Sequence, residues 1–355
     1  MGAMHTPVLV WQGLRYGCSS LKRKMFGNRR FSGSANRICE QIVDACWNGR
    51  YFENSLGNYR EFWMRDFGMA TEALLRMGKK TQVRATLDYA LSRFKSRGVH
   101  TAITRQGMCF NFPNLYSPDS VAWLFHALAK LGDKSLVREN EPFLVTAAEE
   151  FAHKVVGRDG NIAKGRFSGM RDYAIREQSC YDCAMVGLMS KSVDALRLHN
   201  PIRFDAKKAL MKYWTGTHFK PDLSGARHIT GDANIAPFFL DLPKSMMKQA
   251  FTMLEHDLVQ PLPLKYSSVH EERMIMLEFL VPNWERETSW THMGLLYLQL
   301  LKKVMPDVAR SHKQKYARLI EEHGTLFELY DDRMKPYKSL GYYADEGMLW
   351  AANFL

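Results

Sequence analysis

The sequence predicts an all-α protein, arranged as a ring of six helical hairpins or, alternatively, as a helical solenoid. Three observations carry this. Apolar residues recur at helical spacing almost everywhere after residue 35. Strand-like alternation is sparse, and β-branched runs are short. Roughly a dozen helical segments fit within the 355 residues, and no fixed-period repeat is visible, which favours the ring over the solenoid.

The expected helices are 36–47, 67–77, 80–95, 118–131, 137–155, 180–197, 202–213, 232–240, 244–256, 288–304, 308–323 and 345–354. Several breaks have mechanical causes. Gly78 ends one helix, Pro118 occupies the first turn of another, and Gly132-Asp133 follows its end. Pro201 starts a further helix after Asn200. Inner helices of a closed double ring are buried on most sides, and residues 120–131 and 293–301 are apolar enough to be such helices. Residues 36–355 are therefore expected to form a single domain, preceded by a basic segment over 1–35.

Composition narrows the function classes. With 46% hydrophobic and 24% charged residues the chain is globular rather than disordered. No apolar run approaches the ~18 residues that span a bilayer, so no membrane is expected as a partner. The six cysteines are scattered, and Cys180-Tyr181-Asp182-Cys183 has no second pair at zinc-ligand spacing. They are read as buried thiols in a reducing, cytoplasmic setting, with no metal or other cofactor. The net charge is +12, of which residues 1–39 carry +7 and no Asp or Glu. Such a start suits a solvated surface segment, organelle import or a nucleic-acid arm. The solvated segment is favoured, because the body has no basic stripe with interleaved aromatics. Met1-Gly2-Ala3-Met4 reads as a cloning remnant before a second start.

The unusual residues fall beside the helix ends. Tyr59-Arg60-Glu61-Phe62-Trp63-Met64-Arg65-Asp66 offers a charged hydrogen-bonding fork (Arg65, Asp66) beside a flat apolar face (Trp63), and sugars use both. Leu115-Tyr116-Ser117-Pro118-Asp119 opens a helix with a carboxylate. Ser168-Gly169-Met170-Arg171-Asp172-Tyr173-Ala174-Ile175-Arg176-Glu177 supplies two carboxylates, Asp172 and Glu177, in a glycine-containing loop. Asn283-Trp284-Glu285-Arg286-Glu287-Thr288-Ser289-Trp290-Thr291-His292 is dense in polar groups and indoles. Phe327-Glu328-Leu329-Tyr330-Asp331 sets a carboxylate among apolar residues, where burial raises its pKa unless it is paired.

The order of these five segments resembles the six-hairpin (α/α)6-barrel glycosidases, a group that includes glucoamylase, amylo-α-1,6-glucosidase, the glucosidase I and mannosylglycerate hydrolase group, and neutral invertase. Gly231-Asp232-Ala233-Asn234 is similar to a glucoamylase helix start. Glu346-Gly347-Met348-Leu349-Trp350-Ala351 resembles a Trp-Ser-Ala closing segment, with Ala351 in place of the serine. The resemblance covers residues 50–355. It implies an inverting hydrolase of an α-linked glucoside or related small glycoside, using a general acid and a general base.

Glu328 matches the late base. Asp172 and Glu177 each match an acid position, in a loop that departs from the pattern at Arg171 and Arg176. An adjacent arginine lowers a carboxylate's pKa and suits an acid poorly; Asp172 is narrowly preferred. Substrate contacts are expected from Trp63, Arg65, Asp66, Asp119, Trp284, Arg286, Glu287 and Trp290. The basic excess is compatible with an anionic saccharide. The alternatives are a sugar epimerase or isomerase on the same fold, which would need facing histidines, and a non-catalytic carbohydrate-binding scaffold.

Overall fold

The computed structural model describes residues 6–158, 160–269, 273–274, 278–279 and 281–355; the reading of Met1–Met4 lies outside them. In chain order the helices are α1 (Thr6–Phe26), α2 (Ala35–Cys46), α3 (Met64–Arg76), α4 (Lys80–Phe94), α5 (Pro118–Leu131), α6 (Lys134–Glu139), α7 (Glu141–Val155), α8 (Cys180–Ala195), α9 (Ala206–Leu210), α10 (Gly231–Ile235), α11 (Lys244–Asp257), α12 (Thr291–Leu301) and α13 (Pro306–His323). Two 3-10 segments, Ala236–Leu240 and Leu349–Phe354, take part in the same architecture.

These elements close into a ring. Helix α3 packs on α5, α5 on α8, and α8 on the 3-10 segment Ala236–Leu240 that continues α10. The circuit then runs from α10 to α12, from α12 to Leu349–Phe354, and from there back to α3. An outer element backs each inner one: α4 on α3, α7 on α5, α9 on α8, α11 on α10 and α13 on α12. The sixth pair joins α2, from the start of the barrel, to Leu349–Phe354 at its end. The architecture is an all-α (α/α)6 barrel, and its two chain ends complete each other's hairpin.

Close approach of the inner helices needs small residues at their crossings. A Cβ on Gly68 of α3 would overlap the side chain of Trp123 on α5, and one on Gly294 of α12 would overlap Tyr316 and the Pro263 carbonyl. Helix ends follow local chemistry. Gly132 and Gly324 take the left-handed conformation that terminates α5 and α13. Asp133 caps α6 by accepting from the Ser135 and Leu136 amides.

The helices expected at 137–155, 232–240 and 345–354 are modified for identifiable reasons. The first divides at Asn140, because Pro142 belongs in the first turn of a helix and not in its interior. The second passes into 3-10 geometry around Pro237. The third is helical only from Leu349, and in the 3-10 form. Residues 6–26, read as a solvated segment, form a 21-residue helix instead. Two short ribbons pin the site loops. β1 (Phe62–Trp63) pairs with β2 (Ala102–Ile103), which pairs with β3 (Cys109–Phe110); β4 (Ser289–Trp290) pairs with β5 (Leu329–Tyr330), all antiparallel.

Candidate active site

All inner helices of such a ring run the same way, so their N-termini gather at one end. Asp66, Asp119, Asp182 and Asp232 each lie in the first turn of an inner helix, where aligned peptide dipoles favour negative charge. Arg65 is paired with carboxylates at this end. Its Nε pairs with Asp119 Oδ2 at 2.5 Å, its Nη1 lies 3.6 Å from Asp172 Oδ1, and its Nη2 donates to Ser168 Oγ at 3.3 Å. Burial pulls the guanidinium pKa down, but the surrounding Asp119 and Asp172 charges outweigh it and hold it above its ordinary value.

Asp119 is fully buried and also accepts from Ser117 Oγ at 2.6 Å and Tyr181 OH at 3.1 Å. It therefore orients Arg65 from behind. Asp66 is half-buried, and burial, opposed by Arg65, pushes its pKa up to about 6.

The 168–177 loop is held by a residue that sequence reasoning passed over. Glu285 is buried and accepts from the amide of Asp172 at 2.7 Å, that of Tyr173 at 3.0 Å and that of Ala174 at 3.3 Å. Arg171 adds Nε to Glu285 Oε2 at 3.4 Å and Nη2 to the Glu285 carbonyl at 3.1 Å. Arg176 turns to Asp232, at 2.6 Å. The two arginines that departed from the family pattern are thus engaged by other carboxylates. Asp172 is consequently held well above the usual carboxylate range, by burial first and then by Glu285, Asp119 and Asp66, against the pull of Arg65. Glu177 is exposed.

Glu328 is buried. Its Oε2 accepts from Tyr342 OH and from the Asp345 amide at 3.1 Å, and its carbonyl accepts from the Thr291 amide at 3.0 Å. Tyr342 is in turn hydrogen-bonded to Tyr59 OH at 2.8 Å. Burial, reinforced by the Asp345 charge, pushes Glu328 up to about 8. Aromatic rings connect the surroundings of the two carboxylates: Trp284 contacts Tyr173 at 5.0 Å, Tyr342 at 5.3 Å and Trp290 at 5.3 Å between ring centroids. The Tyr173 hydroxyl feels Glu285, Asp172 and Glu328, so all three charges converge on it.

Trp63 packs edge-on with Tyr59 and Phe110. Trp290 Nε1 donates to the Trp284 carbonyl at 2.8 Å. His292 bonds Tyr266 OH at 3.1 Å, and burial, then Arg65, lowers its pKa to about 3, which leaves the ring neutral. Arg286 bonds Glu278 at 3.2 Å and Glu287 is half-buried, while Trp284 and Glu285 reach the 168–177 loop. Cys180 and Cys183 are buried free thiols on α8. No described helix is long and apolar enough to cross a membrane.

Several buried polar atoms here have no hydrogen-bond partner among the described residues. They are Asp172 Oδ1, Asp182 Oδ1, Asp232 Oδ1, Trp63 Nε1, Trp284 Nε1 and His292 Nδ1. Such atoms are costly unless something polar reaches them. A mixed set of donors and acceptors between aromatic rings matches a polyhydroxylated ligand. A cavity of about 990 Å³ lies at the other end of the barrel, lined by Trp123, Phe239, Leu295 and Lys302 among others. It contains neither Asp172 nor Glu328 and is not this site.

No family model matches the chain, and no curated protein sequence does. Solved structures match its fold. A glycosidase superposes with a TM-score of 0.65 at 12% identity, over 90% of this chain and 94% of the other. A mannosylglycerate hydrolase of glycoside hydrolase family 63 from Thermus thermophilus, in complex with Tris, gives 0.60 at 11%, over 90% and 98%. A rhamnosidase from Klebsiella oxytoca with rhamnose bound gives 0.63 at 11%, over 90% and 62%. At this identity the likeness establishes the six-hairpin barrel fold.

Proposed function

We propose that this protein is a glycoside hydrolase that cleaves an α-linked glucoside or related small glycoside with inversion. Asp172 is the general acid and Glu328 the general base. The observation that supports this best is the pair of carboxylates with pKa values raised by burial, their surroundings connected by Trp284 and Tyr173. The structural likeness to a rhamnosidase and a mannosylglycerate hydrolase agrees with it.

In this reading Arg65 and Asp66 hold sugar hydroxyls, Asp119 keeps Arg65 in place, and Trp63, Trp284 and Trp290 supply apolar faces. Protonated Asp172 gives its proton to the glycosidic oxygen as the anomeric C–O bond breaks. Glu328 removes a proton from a water that attacks the anomeric carbon from the opposite side. Oε2 of Glu328 is fixed by Tyr342 and the Asp345 amide, which leaves Oε1 as the oxygen that meets the water.

The acid assignment has a direct test. Asp172→Asn slows an unactivated glycoside by about 10²–10⁴-fold but spares a dinitrophenyl glycoside, whose leaving group needs no proton. Glu177→Gln leaves both rates near wild type. If Glu177→Gln instead shows the leaving-group dependence, the acid is Glu177 and this assignment fails.

A further inference from the structure

Helix α1 packs Val8, Leu9 and Tyr16 on Trp63, Ala102 and Phe110, and leaves a second apolar face uncovered. Polar side chains also face inward. Gln12, Ser20 and Arg23 are buried, and Arg15 bonds Glu61 and the Asn58 carbonyl, the latter at 2.9 Å. Arg23 donates to the Ala344 carbonyl at 2.7 Å and the Tyr343 carbonyl at 2.8 Å. A second set of apolar side chains faces outward: Trp11 is 58% exposed, Leu14 62%, Leu21 56% and Met25 63%. Their spacing, with Cys18 between, alternates three and four residues, which places them in one stripe along the helix.

The stripe runs to the end of the helix and on to a neighbouring loop. Phe26, the last helical residue, is 77% exposed, and Leu340, in the loop whose carbonyl accepts from Lys24 Nζ at 2.8 Å, is fully exposed. Its rim is basic: Lys22, Arg29, Arg30 and Lys338 are exposed, and residues 1–39 contain no Asp or Glu. Contiguous apolar surface with a polar rim marks an interaction face. The charge indicates the kind of partner. A second copy would set this acid-free helix against another, with no carboxylate on either α1 to pair with its lysines and arginines. An apolar stripe with Trp, Leu and Phe, flanked by exposed Lys and Arg, fits the boundary between acyl chains and anionic headgroups.

We propose that α1 and the Leu340 loop dock this protein onto a lipid bilayer surface rich in anionic headgroups. The inference is independent of the glycoside hydrolase reading. It also has a geometric consequence for the candidate site. The inner face of α1 holds the 339–345 loop, and the Asp345 amide in that loop bonds Glu328, so a docked protein carries this wall of the site close to the headgroup layer.

The test is flotation of the full chain with phosphatidylcholine vesicles, alone or containing phosphatidylglycerol, alongside its mass in solution by light scattering. The wild-type monomer binds phosphatidylglycerol vesicles at least about tenfold more strongly than phosphatidylcholine alone, and added salt weakens the binding. The triple variant Trp11→Ser, Leu14→Ser, Leu21→Ser loses about tenfold or more in vesicle binding, with unchanged far-ultraviolet circular dichroism and unchanged turnover of soluble glycosides. Lys22→Ser with Lys338→Ser removes the preference for the anionic lipid. A monomer that floats with neither vesicle overturns the proposal. So does a wild-type dimer that the triple variant converts to monomer, which would assign the stripe to a second copy. Loss of glycoside turnover bears on the active-site reading alone.

Discussion

Replacing Glu328 with glutamine lowers kcat by about 10²–10⁴-fold and leaves sugar affinity within a few-fold, because the amide keeps the shape and cannot take a proton from water. The pH behaviour carries a second signature. Burial and the Asp345 charge push the Glu328 carboxyl up to about 8. As base it must be ionised, so kcat/KM of the wild type rises with pH toward about 8, well above an ordinary glutamate. An acid limb below pH ~5 would contradict this, since that is where an unperturbed glutamate titrates.

Stability moves in the opposite direction to activity. A folded-state pKa raised above the unfolded value means that the fold binds this proton more tightly. The contribution is fully present below the unfolded pKa of ~4.3 and is lost as pH rises through the folded value. The Glu328→Gln protein, which never ionises there, is therefore more heat-stable than wild type, and the difference grows toward pH ~8. Catalysis and stability make opposite demands on this carboxylate. Equal melting of the two proteins at pH ~5 and pH ~8 would remove the physical basis for its raised pKa.

Replacing Arg65 with methionine is the second large effect. The side chain is buried between Asp119 and Asp172, so its loss leaves uncompensated carboxylates at the closed end of the site. Breaking a buried pair from one side costs about 3–5 kcal/mol. The variant shows a lower thermal midpoint together with loss of measurable sugar binding. Adding Asp119→Asn restores part of the stability, because the orphaned charge is then neutral, but it restores no binding. Lysine at position 65 keeps a charge without the planar fork that spans Ser168 and the two aspartates, and it recovers stability more than function. Wild-type melting of Arg65→Met would show that the ion-pair account is wrong.

Much of this site was legible from local sequence. Arg65, Asp66, Asp119 and Asp172 sit at helix starts or in the loops that precede them, and such positions can be read because caps, proline and glycine mark helix ends. Glu328 stood out as a carboxylate in an apolar pentapeptide. Glu285 could not be singled out in the same way. Its importance comes from three backbone amides 111 to 113 residues away in the chain, and nothing in Trp284-Glu285-Arg286-Glu287 distinguishes it from Glu287. The engagement of Arg171 by Glu285 and of Arg176 by Asp232 is equally non-local. It leaves Arg65, 3.6 Å from Asp172, as the arginine that opposes the rise of its pKa.

The ring was legible as a dozen apolar-periodic segments, but its closure was not, since closure depends on α2 meeting Leu349–Phe354 across the whole chain. Helix α1 was missed because its charge drew attention to solvent and several of its apolar residues face outward. Only Val8, Leu9 and Tyr16 pack on the cluster of Trp63, Ala102 and Phe110, while Trp11, Leu14, Leu21 and Met25 cover no core. Its inward arginines instead meet Glu61 and the carbonyls of residues 343 and 344.

The central claim is that Asp172 and Glu328 hydrolyse an α-glycoside by a single displacement with a water between them. In such a site the carboxyl groups stand roughly 6.5–9.5 Å apart and the product anomer is inverted. The direct measurement is proton NMR of freshly released sugar from a panel of α-glycosides that includes charged sugars. The account predicts that the β-anomer appears first and mutarotates to the equilibrium mixture. Release of the α-anomer first, or of no sugar from any member of the panel, would contradict it.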